Sequence, residues 1–314
     1  MAKYLNALPQ RSGEIFLTDG GIETTLIFHD GFELPCFAAF DLLKSPSGKE
    51  ALHRYYQTYA TLAGDYGVGC ILESATWRAS SDWGDKLGYS AEQLAEANSQ
   101  AIALLYEIRQ AHETRHTPIV ISGCVGPRGD GYNPDTFLTD SAAKAYHLAQ
   151  VTTFRDAGAD LVTGMTMTHT GEAIGIVRAA KAVGMPAALS FTVETDGRLP
   201  SGKPLGEAIE EVDAATDAAP VYYMINCAHP SHFMAALEAG GAWRSRIHGL
   251  RANASAKSHA ELDEATRLDE GNPEELAQLY GDVRRLLPNL NVFGGCCGTD
   301  AAHVEAICKV VLAA

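Results

Sequence analysis

The sequence predicts an α/β chain closed into a (β/α)8 barrel, the TIM-barrel architecture. Short β-rich apolar runs alternate with helical patterns from one end of the chain to the other. The helical patterns carry start signals at their N-termini. A length of 314 residues exceeds the ~250 typical of this fold by an amount that long loops absorb. An open doubly wound sheet is the alternative, but no strand–Gly-rich turn–helix fingerprint supports it. Residues 1–314 are read as one domain.

The first strand is expected at Glu14-Ile15-Phe16-Leu17-Thr18 and the second over 68–74. The third is expected over 118–123, the fourth over 161–166 and the fifth over 187–193. The sixth spans 221–226, the seventh 247–251 and the eighth 291–294. Ser90 and Gln93 have the spacing of a capping box before an apolar-periodic helix through Leu94, Ala97, Ala101, Leu104, Leu105 and Ile108. Thr170 can cap the helix that stops near Gly184-Met185-Pro186. Asn272-Pro273 opens another with proline at its first position. His229-Pro230-Ser231 opens a helix after the sixth strand, and Asp300 caps the last one. Two connections, 123–140 and 252–271, are longer than linking alone requires.

Composition narrows the function classes. Hydrophobic content of 46% and charged content of 20% are those of a globular chain with a substantial core. A net charge of −15 and no run of Lys or Arg argue against nucleic acid and anionic membranes. The N-terminus lacks the apolar core of a secretory signal, and no run reaches the ~18 apolar residues of a membrane helix. The expected location is the cytoplasm, with small-molecule ligands and no obligate protein partner.

Seven cysteines occur, at 36, 70, 124, 227, 296, 297 and 308. An odd count suits a reducing compartment. In a parallel barrel the C-terminal strand ends face the site. Those ends hold Asp19-Gly20-Gly21, Ser74-Ala75-Thr76-Trp77, Gly123-Cys124-Val125-Gly126-Pro127, Asn226-Cys227 and Gly294-Gly295-Cys296-Cys297-Gly298. Cys227, Cys296 and Cys297 would supply the three protein ligands of a catalytic zinc that keeps a fourth position open. Neighbouring side chains on a strand point to opposite faces, so Gly294, Gly295 and Gly298 are expected to bend the chain, or to take positive φ, and turn both sulfurs inward. Core packing and a vicinal disulfide are the alternatives for these cysteines. Cys36, Cys70 and Cys308 are read as buried filler.

The chain resembles the homocysteine S-methyltransferase family. The resemblance lies in Leu17-Thr18-Asp19-Gly20-Gly21, Ser74-Ala75-Thr76-Trp77-Arg78-Ala79-Ser80, Gly123-Cys124-Val125-Gly126-Pro127, Ile225-Asn226-Cys227 and Gly294-Gly295-Cys296-Cys297-Gly298-Thr299, in that order across nearly the whole chain. It implies a (β/α)8 barrel, Zn2+ on Cys227, Cys296 and Cys297, and methylation of homocysteine to methionine. The donor would be a small sulfonium, S-methylmethionine or S-adenosylmethionine. Asp19 is expected to anchor the substrate amino group, and the Gly20 and Gly21 amides its carboxylate. Ser74 and Thr76 are candidate pocket hydroxyls, Trp77 a candidate apolar wall, and Asn226 a residue that orients the zinc loop.

Two positions depart from the family pattern. Many relatives carry a glutamate at the end of strand four that grips the amino group, where this chain has Met165; Glu73 is the proposed substitute. Arg78 stands near where betaine-using relatives place an aromatic, which disfavours that donor. A non-catalytic or repurposed zinc and amino-acid-binding barrel and a zinc barrel hydrolase are the competing readings. The all-sulfur ligand set speaks against the hydrolase.

Overall fold

A computed structural model describes residues 2–132, 134, 136–263 and 267–313. Its eight strands are β1 (Phe16–Leu17), β2 (Gly69–Glu73), β3 (Ile119–Val125), β4 (Leu161–Met167), β5 (Ala187–Phe191), β6 (Tyr223–Asn226), β7 (Ile247–Ala252) and β8 (Val292–Gly295). All pair in parallel with their sequence neighbours, and β1 pairs with β8 to close the barrel. Each strand falls within or beside its expected run, so the predicted (β/α)8 barrel is the observed one.

The outer ring is built from α1 (Pro46–Tyr66), α2 (Ser81–Lys86), α3 (Ala91–His112), α4 (Asp140–Ala157), α5 (Thr170–Ala182), α6 (Leu205–Thr216), α7 (Pro230–Glu238), α8 (His259–Asp263), α9 (Pro273–Leu286) and α10 (Ala301–Ala313). The start signals act as expected at α3, where Ser90 and Gln93 form the reciprocal capping box. They act likewise at α9, where the Asn272 side chain accepts from the amides of Glu274 and Glu275. Asp300 Oδ1 accepts from the Ala302 and His303 amides at the start of α10. His229 precedes α7 and accepts from the Ser231 amide. Thr170 does not cap α5. The N-cap is His169, and the Thr170 hydroxyl donates instead to Glu211 at 2.9 Å, because α6 lies close enough to offer a charged acceptor.

Side chains alternate across each strand, and one set fills the barrel axis. Phe16, Ile71, Val120, Leu161, Ala188, Met224 and Val292 form its apolar floor. Two residues further along the same face stand Glu73, Ser122, Thr163, Ser190 and Asn226, all nearly or fully buried. The barrel interior therefore changes from apolar to polar toward the C-terminal mouth, where barrel sites lie.

The connections around that mouth differ from expectation in one respect. The expected long loops 123–140 and 252–271 each include residues outside the described set (133, 135 and 264–266). A third long connection, 18–45, was not anticipated. It contains a π-helical turn, Thr24–His29, and the turns Pro35–Phe37 and Ala39–Lys44. Its apolar residues lack a clean period, so pattern alone assigns it no element. No described helix is long and apolar enough to cross a membrane.

Candidate active site

Cys227 follows β6, and Cys296 and Cys297 follow β8, with β7 between the two strands. The Cys227 sulfur lies 2.9 Å from that of Cys296 and 3.4 Å from that of Cys297. All three sulfurs fall within 4.8 Å of one another. Tetrahedral zinc with Zn–S bonds of about 2.3 Å spaces its sulfurs by roughly 3.8 Å. The donor set therefore fits one such ion after adjustments of under about an ångström. Thiolate is the form that binds metal. Here hydrogen bonds with Cys296 and Cys297, and then burial, push the Cys227 thiol well up. A divalent cation at their centre is the natural counter-charge for all three.

The backbone explains how the sulfurs converge. Cys227 is a non-glycine residue with φ 56°, a left-handed conformation that costs about 1–2 kcal/mol. It is held there by its amide donating to the Arg251 carbonyl at 3.0 Å and its carbonyl accepting from His259 Nε2 at 2.6 Å. The bend after β8 is formed differently from expectation. Of its glycines only Gly298 takes positive φ, at 78°. Gly294 and Gly295 remain in the strand. A Cβ at Gly294 would meet Thr18 Oγ1 at 1.9 Å, so that glycine serves the close approach of β1 to β8. The Cys297 amide donates to Asn253 Oδ1 at 3.1 Å and its carbonyl accepts from Ala254 at 3.0 Å, which fixes the vicinal pair.

Tyr132, from the connection after β3, reaches over the cysteines. Its hydroxyl is 2.8 Å from the Cys227 sulfur and 3.6 Å from that of Cys297, and its ring packs 4.5 Å from that of His259.

An inner chamber of about 80 Å³ is lined by the three cysteines together with Asp19, Glu73, Ser74, Trp77, Met165 and Asn226. It opens into an outer cavity of about 530 Å³. Glu23, Phe37, Trp77, Arg78, Tyr132 and Cys297 line both.

Asp19 is buried and ion-paired with Arg251, Oδ1 to Nη2 at 2.7 Å, and accepts from the Tyr55 hydroxyl at 2.8 Å. Burial raises its carboxyl pKa, and Arg251 opposes the rise. Gly20 and Gly21 belong to the same turn. The Gly21 amide is already engaged by the carbonyl and hydroxyl of Thr299, and a Cβ there would strike the Cys296 carbonyl oxygen at 2.6 Å. Glu73 points into the barrel axis, where its Oε1 accepts from Thr163 at 2.9 Å while Oε2 has no partner among the described residues. Burial raises its pKa as well.

The hydroxyls of Ser74 and Thr76 lie 2.6 Å apart and tie β2 to β3 through the amide and carbonyl of Cys124. Ser74 lines the chamber, whereas Thr76 is fully buried behind its wall. The Asn226 side chain makes three hydrogen bonds, two of them with Thr166, a residue with φ 62°: the Thr166 amide and Ser190 hydroxyl donate to its Oδ1, and its Nδ2 donates to the Thr166 hydroxyl. It thus holds the end of β4 rather than the cysteine loop.

Trp77 forms part of the wall and donates to the Met165 carbonyl at 3.3 Å. Arg78 turns inward. Its guanidinium lies between the rings of Trp77 and Trp83 at 4.1 and 3.9 Å and donates to the Gly129 carbonyl. Cys70 and Cys308 are buried filler as expected, but Cys36 is exposed; it sits at φ 56° in the turn Pro35–Phe37 of the unanticipated connection after β1, a turn with no buried residue.

Five residues escaped the sequence reading: Glu23, Tyr55, Tyr132, Arg251 and His259. Arg251 was findable, since it ends an expected strand. Tyr132 lies in a connection flagged only for its length, and Tyr55 reaches the site from the middle of α1.

The family model for homocysteine S-methyltransferase matches residues 16–311. The chain belongs to the homocysteine S-methyltransferase family. This makes it an S-methyltransferase of the class that methylates homocysteine. The chain is 26% identical to the homocysteine S-methyltransferase of Escherichia coli K12 over 94% of each chain. Against homocysteine S-methyltransferase 3 of Arabidopsis thaliana it is 24% identical, covering 96% of this chain and 91% of that one. The fold matches the crystal structure of the metallated homocysteine methyltransferase MmuM from Escherichia coli with a TM-score of 0.74, at 20% identity over 98% of this chain and 99% of that one.

Proposed function

We propose that this family member transfers a methyl group from a small sulfonium, S-methylmethionine or S-adenosylmethionine, to the thiol of homocysteine, with zinc held by Cys227, Cys296 and Cys297. The convergence of the three sulfurs from β6 and β8 is the observation that carries the reading. Zinc bound there would keep the substrate sulfur as thiolate at neutral pH, where a free thiol of pKa about 8.5 is only a few per cent ionised.

The chain's own residues supply the rest. His259 and Arg251 fix Cys227 through its carbonyl and amide. Trp77, Phe37 and Tyr132 surround the passage between chamber and cavity, so thiol and donor meet in a site poor in water, which favours a reaction that neutralises charge. A bond forms between the substrate sulfur and the methyl carbon. The bond between that carbon and the donor sulfur breaks, its electron pair stays with the departing thioether, and the thiol proton passes to solvent. Arg78 covers one face of Trp77, which removes that face from a betaine-like quaternary ammonium. Free thiols suit a cytoplasmic, reducing setting, and one domain, residues 1–314, holds every residue invoked.

Zinc-loaded protein incubated with homocysteine and each donor in turn tests the reading. Methionine formation with a sulfonium donor and none with betaine is expected. Methionine from betaine alone, or a methylated thiol other than homocysteine as the sole product, would contradict it.

A further inference from the structure

A thiol amino acid brings an α-ammonium into this chamber as well as a sulfur. A cation taken from water into an enclosed site is costly unless a carboxylate meets it. Met165 lines the chamber from β4 and offers no charge. Three acids line it: Asp19, Glu23 and Glu73.

Asp19 is matched by a cation, Arg251, and also holds the Tyr55 hydroxyl. Glu73 is set back in the polar layer of the barrel axis, 4% exposed, with one oxygen bound by Thr163 and Oε2 without a partner among the described residues. Glu23 differs from both. It precedes the π-helical turn Thr24–His29 without capping it, and its carboxylate has no side-chain partner among the described residues. Arg78, the cation whose charge reaches it, is directed at the Gly129 carbonyl and at Asp130. Glu23 also lines both the inner chamber and the outer cavity, as does Cys297. An acid with no ion pair among the described residues therefore lines the same passage as Cys297, within the space a thiol amino acid directed at the cysteines would occupy.

We infer that Glu23 receives the α-ammonium of the thiol amino acid and so selects an amino thiol over a plain one. The inference rests on the thiol methyl transfer proposed above. Burial pushes the Glu23 carboxyl up to about 7, opposed by a backbone hydrogen bond and by the charge of Arg78.

Titration calorimetry on the zinc-loaded protein tests this without a donor. The two ligands are homocysteine and 4-mercaptobutyrate, which differ only in the ammonium. The wild-type chain is expected to bind homocysteine at least about tenfold more tightly. Glu23→Gln should lose that preference through weaker homocysteine binding, with 4-mercaptobutyrate affinity and the zinc-to-protein ratio unchanged, and Glu23→Asp should recover part of it. A preference that survives in Glu23→Gln overturns the assignment. Loss of the preference in Glu73→Gln but not in Glu23→Gln overturns it too, and gives the role to the acid in the barrel axis. A wild-type chain that binds neither thiol overturns the function on which the inference rests, and Glu23 with it.

Discussion

The sulfur side of the mouth, at the ends of β6 and β8, and the acid side, at the ends of β1, β2 and β4, are built on different terms. The three cysteines come from two short strand ends whose positions follow from barrel topology. The acids reach the chamber by three routes: Asp19 from a turn, Glu73 from inside the barrel and Glu23 from a long irregular connection. The sulfur side presents three thiols from two strand ends, while the acid side has the uncharged Met165 at the end of β4. Ligand chemistry tolerates little variation in donor type. An ammonium can be met by a carboxylate from any direction, so recognition can move to another strand end while the metal ligands stay in place.

Substitution on the sulfur side should give the largest effect. Cys227→Ser is expected to lower bound zinc from about one per chain to below about a tenth, because a neutral hydroxyl replaces one of three thiolates. Elemental analysis after dialysis measures this, and the far-UV spectrum should stay that of the wild type. Full zinc retention would separate the metal from these cysteines and remove the contrast between the two sides.

Arg251 joins the sides, since it pairs with Asp19 and donates to the carbonyls of Gly20 and Gly295. Arg251→Met leaves Asp19 buried without its cation and is expected to cost about 3–5 kcal/mol in denaturant unfolding. Adding Asp19→Asn should restore most of that loss. If the double variant is no more stable than the single one, the pair does not act as a unit.

The smallest effect is expected at Asp300, whose carboxyl is held down to about 2 by the hydrogen bond from His303. A carboxyl depressed on folding adds stability above its ordinary pKa near 3.8 and loses it as pH falls toward 2. Asparagine caps equally well, so Asp300→Asn removes only the charge. The variant should be less stable than wild type by at most about 1 kcal/mol at pH 6, and the gap should narrow below about pH 4 and close only below about pH 2. A gap that widens in acid would reverse the sign of this linkage.

The same contrast explains what the sequence made legible. Eight apolar runs and five helix start signals, four of which act as expected, sufficed for the barrel, because strand and helix periods are local properties. Cys227, Cys296 and Cys297 were legible because they fall at strand ends, which topology brings together. The bend that unites them was read incompletely: the left-handed residue on the β6 side is Cys227 itself, held by His259 from a connection distant in sequence. Glu23 was invisible for a related reason. It lies in a connection without periodicity, and its nearness to Cys297 depends on how that connection folds over the mouth. Thr76 shows the opposite error. Its position in a strand-end motif suggested a pocket hydroxyl, yet it lies past the end of β2, where its hydroxyl is taken by the Ser74 hydroxyl and the Cys124 carbonyl behind the wall.

Zinc-edge X-ray absorption, recorded before and after addition of homocysteine, tests the central claim most directly. The account predicts three sulfurs at about 2.3 Å with one lighter neighbour in the free protein, and four sulfurs once the thiol is present. A spectrum with fewer than three sulfurs, or one that homocysteine leaves unchanged, would contradict it.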